Sequence, residues 1–392
     1  MITVEEAFEL VKNNIIPTQI STRSKVVNAT GFVLAENVYS PINMPPFRQS
    51  AMDGYALNIH NKLSYTIVDE VKAGDGHHPV LNPGEAVRIF TGSAVPDSAN
   101  TVIMQEKVTV DENQLQLNNS AVLNENIRPL GEQIKEGNIA ITKGTKLNPA
   151  AIGFLLTLGI MEVPVFKKPK IGVVTTGNEL IEPGQDLTYG KIYESNSGML
   201  FTGLLSLGFS DATLYKVKDD YKSTVELLDK VITESDVVLI TGGISVGDYD
   251  FVGKALLELG TEQIFYKVKQ KPGKPLFFGK IKNKPIFALP GNPASALSSF
   301  YVYVHPSLEK LSGNINFFIN KGTATLAFDY FKKGDRAQFL EAYHKDGNVT
   351  ILKAQSSAML NTFVIANAFV YIPCEVNQYS KGDMVSIIHL PN

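Results

Sequence analysis

The stretch Asp236-Val-Val-Leu-Ile-Thr-Gly-Gly-Ile-Ser-Val-Gly-Asp-Tyr-Asp-Phe251 decides the fold of the central part of this chain. Its apolar, β-branched run at 237–240 is typical of a buried strand. Thr241, Gly242 and Gly243 follow, and glycine permits the sharp turn that ends such a strand because it accepts positive φ. A helical pattern starts near Asp250, so we expect strand, turn and helix in succession.

The turn of this stretch contains residues suited to a charged ligand. A small-residue turn between a strand and a helix presents free backbone N–H groups, which bind anions and most often phosphate. Ser245, Asp248 and Asp250 lie in or beside the turn, and carboxylates next to an anion cradle indicate phosphate together with a divalent cation. The alternative is an ordinary connection between strand and helix with polar caps.

Strands and helices alternate on both sides of this stretch. Strands are predicted at 171–174, 211–217, 237–240 and 264–268, and helices at 195–207, 221–234, 250–259 and, with Asn292 as its cap, 293–311. Residues 276–281 and 285–289 form either a hairpin or two further strands. Such alternation predicts a mainly parallel sheet with helices on both faces, the α/β class.

The flanking regions are predicted to be mostly β structure. Short alternating runs separated by Gly, Pro, Asn and Asp predict strands within 56–130, among them a single run at 101–110, and strands again after Gly313. An amphipathic helix is predicted at 3–14, where Thr3 and Glu6 form a capping box. A second helix is predicted to begin after the cap Asn148.

Length and composition limit the function classes. A chain of 392 residues is too long for one core, so two to four domains are expected. The net charge of −3 gives no general attraction to nucleic acid or to an anionic membrane, and neither is an expected partner. Cys374 is the only cysteine, which excludes a disulfide framework and a cysteine zinc site. With no signal peptide or membrane-spanning run in the sequence, we expect a cytoplasmic protein.

Acidic and glycine-bearing loops follow several of the predicted strands. Ligands of open parallel sheets bind beyond the carboxyl ends of the strands, where the loops at 175–180, 219–220, 241–250 and 290–293 are expected to meet. The loop acids, including one from an earlier loop, are Asp53, Glu179, Asp219, Asp248 and Asp250. Carboxylate oxygens and substrate phosphate oxygens are the ligands that Mg²⁺ prefers, so we predict a metal–phosphate site. Helix capping is the alternative for any single acid.

Lysines are concentrated between the last strands of the central region. Lys267, Lys269 and Lys271 alternate and are predicted to lie on one side of a strand, with Lys274 in the following Pro-Gly turn. Gathered ammonium groups repel one another unless an anion neutralises them, which indicates an oxyanion or polyphosphate ligand. The alternative is a solvated edge strand guarded by lysines. Because no Ser/His/Asp set or His-rich pattern occurs, we predict electrostatic, metal-assisted chemistry.

Five motifs in a fixed order resemble one family. They are Ser50-Ala-Met-Asp-Gly-Tyr-Ala56, Thr175-Thr-Gly-Asn-Glu-Leu180, Thr241-Gly-Gly-Ile-Ser-Val-Gly247, Lys271-Pro-Gly-Lys-Pro275 and Leu289-Pro-Gly-Asn-Pro293. In this order they resemble the MoeA-type molybdopterin molybdenumtransferases, which are related to the E domain of gephyrin. The resemblance covers essentially the whole chain.

The resemblance implies a fold, a reaction and an assembly. The fold would comprise an N-terminal elongated domain (1–48 and 131–167), an inserted β domain (49–130), a molybdopterin-binding α/β sandwich domain (168–312) and a C-terminal β-barrel-like domain (313–392). The reaction would insert molybdenum from molybdate into adenylylated molybdopterin, with Mg²⁺-dependent cleavage of the adenylate and release of AMP. The protein would be a homodimer whose site is shared between subunits, with transient contact to the molybdopterin adenylyltransferase as a further partner.

The resemblance also implies roles for residues at matching positions. Catalytic roles fall to Asp53, Glu179, Asp219 and Asp250, of which the last three would hold Mg²⁺. Substrate or anion contacts fall to Thr91, Thr176, Gly177, Gly242, Gly243, Ser245, Lys267, Lys271, Lys274, Pro290, Gly291, Asn292, Arg336 and Ser357. The family often has Asp where this chain has Gln133, and an amide cannot supply charge to a metal.

Two alternatives to this enzyme stay open from the sequence. One is a carrier or scaffold that holds the pterin nucleotide without turnover, but the retained acids Asp53, Glu179, Asp219 and Asp250 favour catalysis. The other is the same enzyme with tungstate as its preferred oxyanion, since the two anions are nearly isosteric.

Overall fold

Among the residues that the computed structural model describes, 1–244 and 251–391, six strands form the central sheet. They are Ile171–Thr176 (β1), Ala212–Val217 (β2), Val237–Thr241 (β3), Glu262–Tyr266 (β4), Phe277–Ile281 (β5) and Lys284–Leu289 (β6). Their order is β2-β1-β3-β6-β5-β4, and the first four are parallel. β5 is antiparallel to both β6 and β4. The predicted mainly parallel sheet is confirmed, and β5 with β6 is a hairpin inside it.

Helices cover both faces of this sheet because its strands are apolar on both sides. Val173 of β1 packs in one core with Leu204, which belongs to the helix after β1. The next residue, Val174, packs in a second core with Leu228, which belongs to the helix after β2. Alternate residues of a strand point to opposite faces, so one strand supplies both cores.

The helices begin and end close to their predicted positions. The described helices are Val4–Asn14, Pro149–Thr157, Asn196–Ser206, Tyr221–Glu234, Phe251–Glu258 and the unbroken run of Pro293–Ser299, Phe300–Val304 (π-helical) and His305–Leu311. Thr3 Oγ1 accepts from the N–H of Glu6 at 3.1 Å, and Glu6 Oε2 accepts from the N–H of Thr3 at 2.7 Å. Asn148 Oδ1 accepts from the N–H of Ala151 at 2.8 Å. Both predicted caps are confirmed.

The segments before and after the inserted sheet pair with each other. Strand Ser21–Lys25 pairs with Glu162–Phe166, Val38–Tyr39 with Ile139–Ile141, and Gln49–Ser50 with Ile127–Arg128. The inserted sheet consists of Gly54–Leu57, Ser64–Val71, Glu85–Ile89, Thr101–Met104, Val108–Asp111 and Gln114–Leu117. The single strand predicted at 101–110 is wrong. A 3₁₀ turn at Gln105–Lys107 divides it, because its two halves pair with different neighbours.

The C-terminal strands close into a barrel. The barrel strands are Lys321–Leu326, Ala337–Lys345, Asn348–Ile351, Ala368–Ile372 and Met384–His389. The short strand Gln270–Lys271 of the central region pairs in parallel with Ala337 and Gln338, so the lysine segment is joined to the barrel. Short two-stranded pairs complete the structure: Leu180–Ile181 with Ile192–Tyr193, and Tyr330–Phe331 with Gln378–Tyr379. The predicted domain boundaries stay a prediction.

None of the helices in the described part of the chain is both long enough and apolar enough to cross a membrane.

One barrel residue carries a buried carboxyl group. Glu341 lies in Ala337–Lys345, is 3% exposed and shares its side of the strand with buried Ala337 and Phe339. Burial raises the pKa of Glu341 to about 7. The folded chain therefore holds this proton more tightly than the unfolded chain, in which a glutamate has a pKa of about 4.3.

Replacing Glu341 should change how stability depends on pH. Between about pH 4.3 and pH 7 the unfolded chain gains negative charge at this residue before the folded chain does, so rising pH destabilises the wild type. Glu341→Gln removes this effect, and its Tm relative to wild type should rise by roughly 2–4 °C from pH 5 to pH 8. Thermal denaturation across that range measures the difference. Glu375→Gln, at an exposed position, is the control and should show a flat difference; a flat difference for Glu341→Gln would contradict the prediction.

Candidate functional site

Three loops meet at the carboxyl edge of the parallel strands. They follow β1, β3 and β6, and they contain Gly177, Gly242 and Gly291. Gly242 has φ 91°, and a Cβ on it would lie 2.2 Å from the carbonyl oxygen of Thr176. A Cβ on Gly291 would lie 3.7 Å from Cα of Gly242. Glycine is therefore required at residue 242 both for its backbone conformation and for the close approach of two loops.

A buried asparagine holds two of these loops together. Asn196 Nδ2 donates to Thr241 Oγ1 at 2.9 Å and to the carbonyl oxygen of Gly291 at 2.7 Å. Thr241 Oγ1 in turn donates to the carbonyl oxygen of Pro290 at 3.3 Å. Asn196 was not predicted as a site residue, because its only signal in the sequence is its place at the start of a predicted helix.

Asp219 is fixed against the loop after β1. Its Oδ1 accepts from Thr176 Oγ1 at 2.5 Å, and its Oδ2 accepts from the N–H of Asn178 at 3.0 Å. Glu179 lies beside the same loop, since a Cβ on Gly177 would be 2.9 Å from Glu179 Oε2. Glu179 therefore belongs to the same loop as the predicted Gly177, and Asp219 is hydrogen-bonded to that loop from the loop after β2.

The predicted metal site is described only in part. Ser245, Asp248 and Asp250 lie outside the described residues. Within the described ranges, no group of three or more His, Cys, Asp or Glu residues could hold a metal ion. Mg²⁺ takes one or two protein carboxylates and completes its shell with water and substrate phosphate oxygens. Asp219 and Glu179 supply that kind of donor, so the residues present fit magnesium bound together with a phosphorylated ligand.

The prediction that lysines alternate along one strand is wrong. Strand β4 ends at Tyr266, and Lys267 takes φ 72°, which breaks the alternation. Lys267 Nζ lies 4.7 Å from the centre of the Tyr266 ring. Lys269 forms an ion pair with Asp335, whose Oδ2 is 3.2 Å from Lys269 Nζ. Of the four predicted lysines, Lys269 is thus paired with an acid and Lys267 lies over an aromatic ring. A substrate contact of Lys267 stays a prediction.

The other two lysines line a basic cavity between the central domain and the barrel. It has a volume of about 530 Å³, and the predicted residues in its wall are Lys271, Lys274, Pro290, Asn292, Arg336 and Ser357. Its described wall contains three cationic side chains and no carboxylate. Such a cavity favours an anionic ligand, because the anion removes the repulsion among the cations.

The wall of this basic cavity is held by contacts between the two domains. Arg336 Nη1 donates to the carbonyl oxygen of Gln270 at 3.3 Å. Asn292 Nδ2 donates to Ser357 Oγ at 3.0 Å, and the N–H of Ser295 donates to the carbonyl oxygen of Ser357 at 3.3 Å. Asn292 is the N-cap of its helix, as predicted, but its side chain donates to Ser357 and makes no capping hydrogen bond to the helix.

Asp53 and Thr91 form a pair in the inserted sheet region. Both the N–H and the Oγ1 of Thr91 donate to Asp53 Oδ1 at 2.7 Å. The backbone N–H and then the hydroxyl of Thr91 hold the pKa of Asp53 below its usual range. Within the described chain, no hydrogen bond joins this pair to the loops of the central sheet.

Three family models match the chain in order. The MoeA N-terminal region (domain I and II) matches residues 2–159, the probable molybdopterin binding domain matches residues 172–310, and the MoeA C-terminal region (domain IV) matches residues 323–390. The central model thus covers the sheet whose loops form the site.

Individual proteins match over nearly their whole length. The chain is 33% identical to a molybdopterin molybdenumtransferase of Haemophilus influenzae, over 99% of this chain and 98% of that protein. It is 30% identical to one of Staphylococcus aureus, over 99% of this chain and 95% of that protein. The crystal structure of a molybdopterin biosynthesis moeA protein from Pyrococcus horikoshii superposes with a TM-score of 0.87 at 31% identity, covering 100% of both chains.

A molybdopterin-binding domain carried between N- and C-terminal regions of the MoeA type is the class of protein that these matches define. The chain belongs to the MoeA family, and it is an enzyme of molybdenum cofactor biosynthesis.

Substituting Gly242 should separate the loops of the site. A Cβ of Gly242→Ala would press on the backbone carbonyl of Thr176, in addition to the strain of φ 91°. Gly260→Ala is a matched control, because Gly260 has φ 82° and its Cβ would meet no atom within 4 Å. We expect Gly242→Ala to cost about 1–3 kcal/mol more than the control. Thermal denaturation measures this as a lower Tm, and equal Tm values would refute the close contact.

Proposed function

We propose that this chain inserts molybdenum from molybdate into adenylylated molybdopterin, with cleavage of the adenylate and release of AMP. The observation that carries the proposal is the basic cavity of Lys271, Lys274 and Arg336, which lies next to the glycine-bearing loops of the central sheet. The similarity to relatives named molybdopterin molybdenumtransferase, over nearly the whole chain, supports the same reaction.

In this proposal the loops of the sheet bind the nucleotide phosphates. Turns such as Thr241–Gly243 offer backbone N–H groups to phosphate oxygens. Thr176 and Asn178 hold the carboxylate of Asp219 in one orientation, and Glu179 follows Asn178 in the same loop. Asp219, Glu179 and the predicted Asp250 would hold Mg²⁺, which when bound neutralises phosphate charge and so eases cleavage of the adenylate.

The basic cavity is the proposed site for molybdate. The guanidinium of Arg336 is held through the Gln270 carbonyl, which leaves its remaining N–H groups for an oxyanion. Lys271 and Lys274 add two further cations to the same wall. An oxyanion placed there would be close to the loops that bind the pterin nucleotide, because Pro290 and Asn292 belong both to the wall and to the loop after β6.

The proposal includes a homodimer with a shared site. Asp53 is ionised and oriented by Thr91, yet its described contacts lie inside its own region. In the proposed homodimer, the central domain of a second subunit lies close to this carboxylate, so that Asp53 contributes to the site of that subunit. Transient contact with the molybdopterin adenylyltransferase and a cytoplasmic location stay predictions.

The decisive experiment is the release of AMP from adenylylated molybdopterin by the purified protein with Mg²⁺, with and without molybdate. Release that depends on both molybdate and Mg²⁺ would support the transferase. Tight binding of the pterin nucleotide without release would refute the proposed turnover and favour a carrier. A lower half-saturating concentration for tungstate than for molybdate would favour the tungstate-preferring alternative.

Removing one cation of the basic cavity should weaken the response to molybdate. Lys271→Ala removes a charge-assisted contact worth about 1.5–3 kcal/mol. We expect the half-saturating molybdate concentration for AMP release to rise about 10- to 100-fold. Lys230→Ala, an exposed lysine of the helix Tyr221–Glu234, is the control and should leave it unchanged. An unchanged molybdate dependence of Lys271→Ala would count against its anion contact.

A further inference from the structure

Two buried polar side chains lie directly behind the lysine turn Lys271-Pro-Gly-Lys274. Gln270 is 1% exposed and Tyr303 is fully buried. Tyr303 Oη donates to Gln270 Oε1 at 2.5 Å, and Gln270 Nε2 donates to the carbonyl oxygen of Gly273 at 3.2 Å. The hydroxyl of a helix residue is therefore linked, through one amide, to the backbone of the turn.

This chain of hydrogen bonds has one possible direction. The carbonyl oxygen of Gly273 can only accept, so the amide of Gln270 must present its NH₂ group there. Its oxygen then faces Tyr303, and the tyrosine hydroxyl must donate. A buried polar group without its partner is costly, so the network fixes the rotamer of Gln270 and with it the position of Gly273.

The backbone of Gln270 extends this link to the barrel. Gln270 and Lys271 pair with Ala337 and Gln338, and the carbonyl oxygen of Gln270 accepts from Arg336 Nη1. The same residue thus contacts the turn that carries the two cavity lysines and the arginine opposite them.

The lysine turn also sits tightly on the helix that contains Tyr303. Gly273 has φ 77°, and a Cβ on it would lie 2.8 Å from Ser299 Oγ and 3.2 Å from Gln270 Nε2. Close contact on this side leaves the turn little freedom to shift without disturbing Gln270.

We propose that Gln270 and Tyr303 are positioning residues that hold Lys271, Lys274 and Arg336 in place for an oxyanion. Neither side chain is part of the cavity wall, so both act through the turn and the arginine. Three cations held in advance bind an anion more tightly, because binding then requires no reordering of the turn. The inference rests on the proposed function in taking molybdate as the oxyanion.

Tyr303→Phe tests the inference, because it removes the donating hydroxyl and keeps the ring. Loss of about 1 kcal/mol from this hydrogen bond corresponds to roughly a fivefold change in affinity. We expect the Kd for molybdate, measured calorimetrically on the full chain without pterin, to rise about 3- to 10-fold. In the AMP-release assay the KM for molybdate should rise in the same proportion, while kcat at saturating molybdate stays within about twofold.

Tyr301→Phe is the matched control. Tyr301 belongs to the same π-helical segment and is partly buried, but its hydroxyl makes no described hydrogen bond to the turn. Its loss should leave the molybdate Kd unchanged. Gln270→Met is the second variant, which keeps the length of the side chain without its amide and should raise the Kd at least as much as Tyr303→Phe.

The outcomes separate the inference from the proposed function. A lower Tm with an unchanged molybdate Kd in both variants would give Gln270 and Tyr303 a purely structural role and overturn the inference. Wild-type protein that binds molybdate but releases no AMP would refute the proposed turnover, and the Kd comparison would still decide the inference. Wild-type protein that binds no molybdate would overturn the inference outright.

Discussion

The candidate site depends on the close approach of two loops at the edge of the parallel sheet. Strands β1 and β3 are parallel neighbours and end at the same edge, so the loops that follow them are crowded together. Gly242 allows the two loops to pack this closely, because a Cβ at this residue would clash with the carbonyl oxygen of Thr176. With the loops in contact, the Thr176 hydroxyl is available to orient Asp219, and Thr241 is within reach of Asn196. The close packing of these two loops therefore brings the Asp219 carboxylate and the backbone N–H groups of the loops to the same edge of the sheet.

A second constraint joins the central domain to the barrel. The strand Gln270–Lys271 lies between β4 and β5. It pairs with Ala337 and Gln338, the two residues that follow Arg336. This pairing brings Lys271 beside Arg336, although the two are far apart in the chain. Lys269 and Asp335, which flank this pairing, form an ion pair with each other, and neither lines the cavity. The described wall of the cavity contains three cations and no carboxylate, so it is basic in a chain whose net charge is −3.

The sequence predicted the features that depend on local patterns. The alternation of strands and helices, the capping box at Thr3 and the cap at Asn148 follow from residue spacing, and the structure confirms them. It could not reveal features that depend on distant partners. The strand predicted at 264–268 ends at Tyr266, because Lys267 takes a positive φ. The Asn292 side chain donates to Ser357 and makes no hydrogen bond to its own helix. The buried links made by Asn196 and by Gln270 with Tyr303 were likewise invisible, because their partners lie elsewhere in the chain.

The division of charge along one edge matches the proposed function, in which one site would hold both a metal ion and an oxyanion. Asp219 and Glu179 lie with the loop after β1, whereas Lys271, Lys274 and Arg336 line the cavity next to the barrel. If these acids and bases were in contact, they would neutralise one another and bind neither ion well. The loop after β6 lies between the two groups: Gly291 faces Gly242 and Asn196, while Pro290 and Asn292 line the cavity. In the proposed function, this loop would form the common wall between the nucleotide phosphates and the oxyanion.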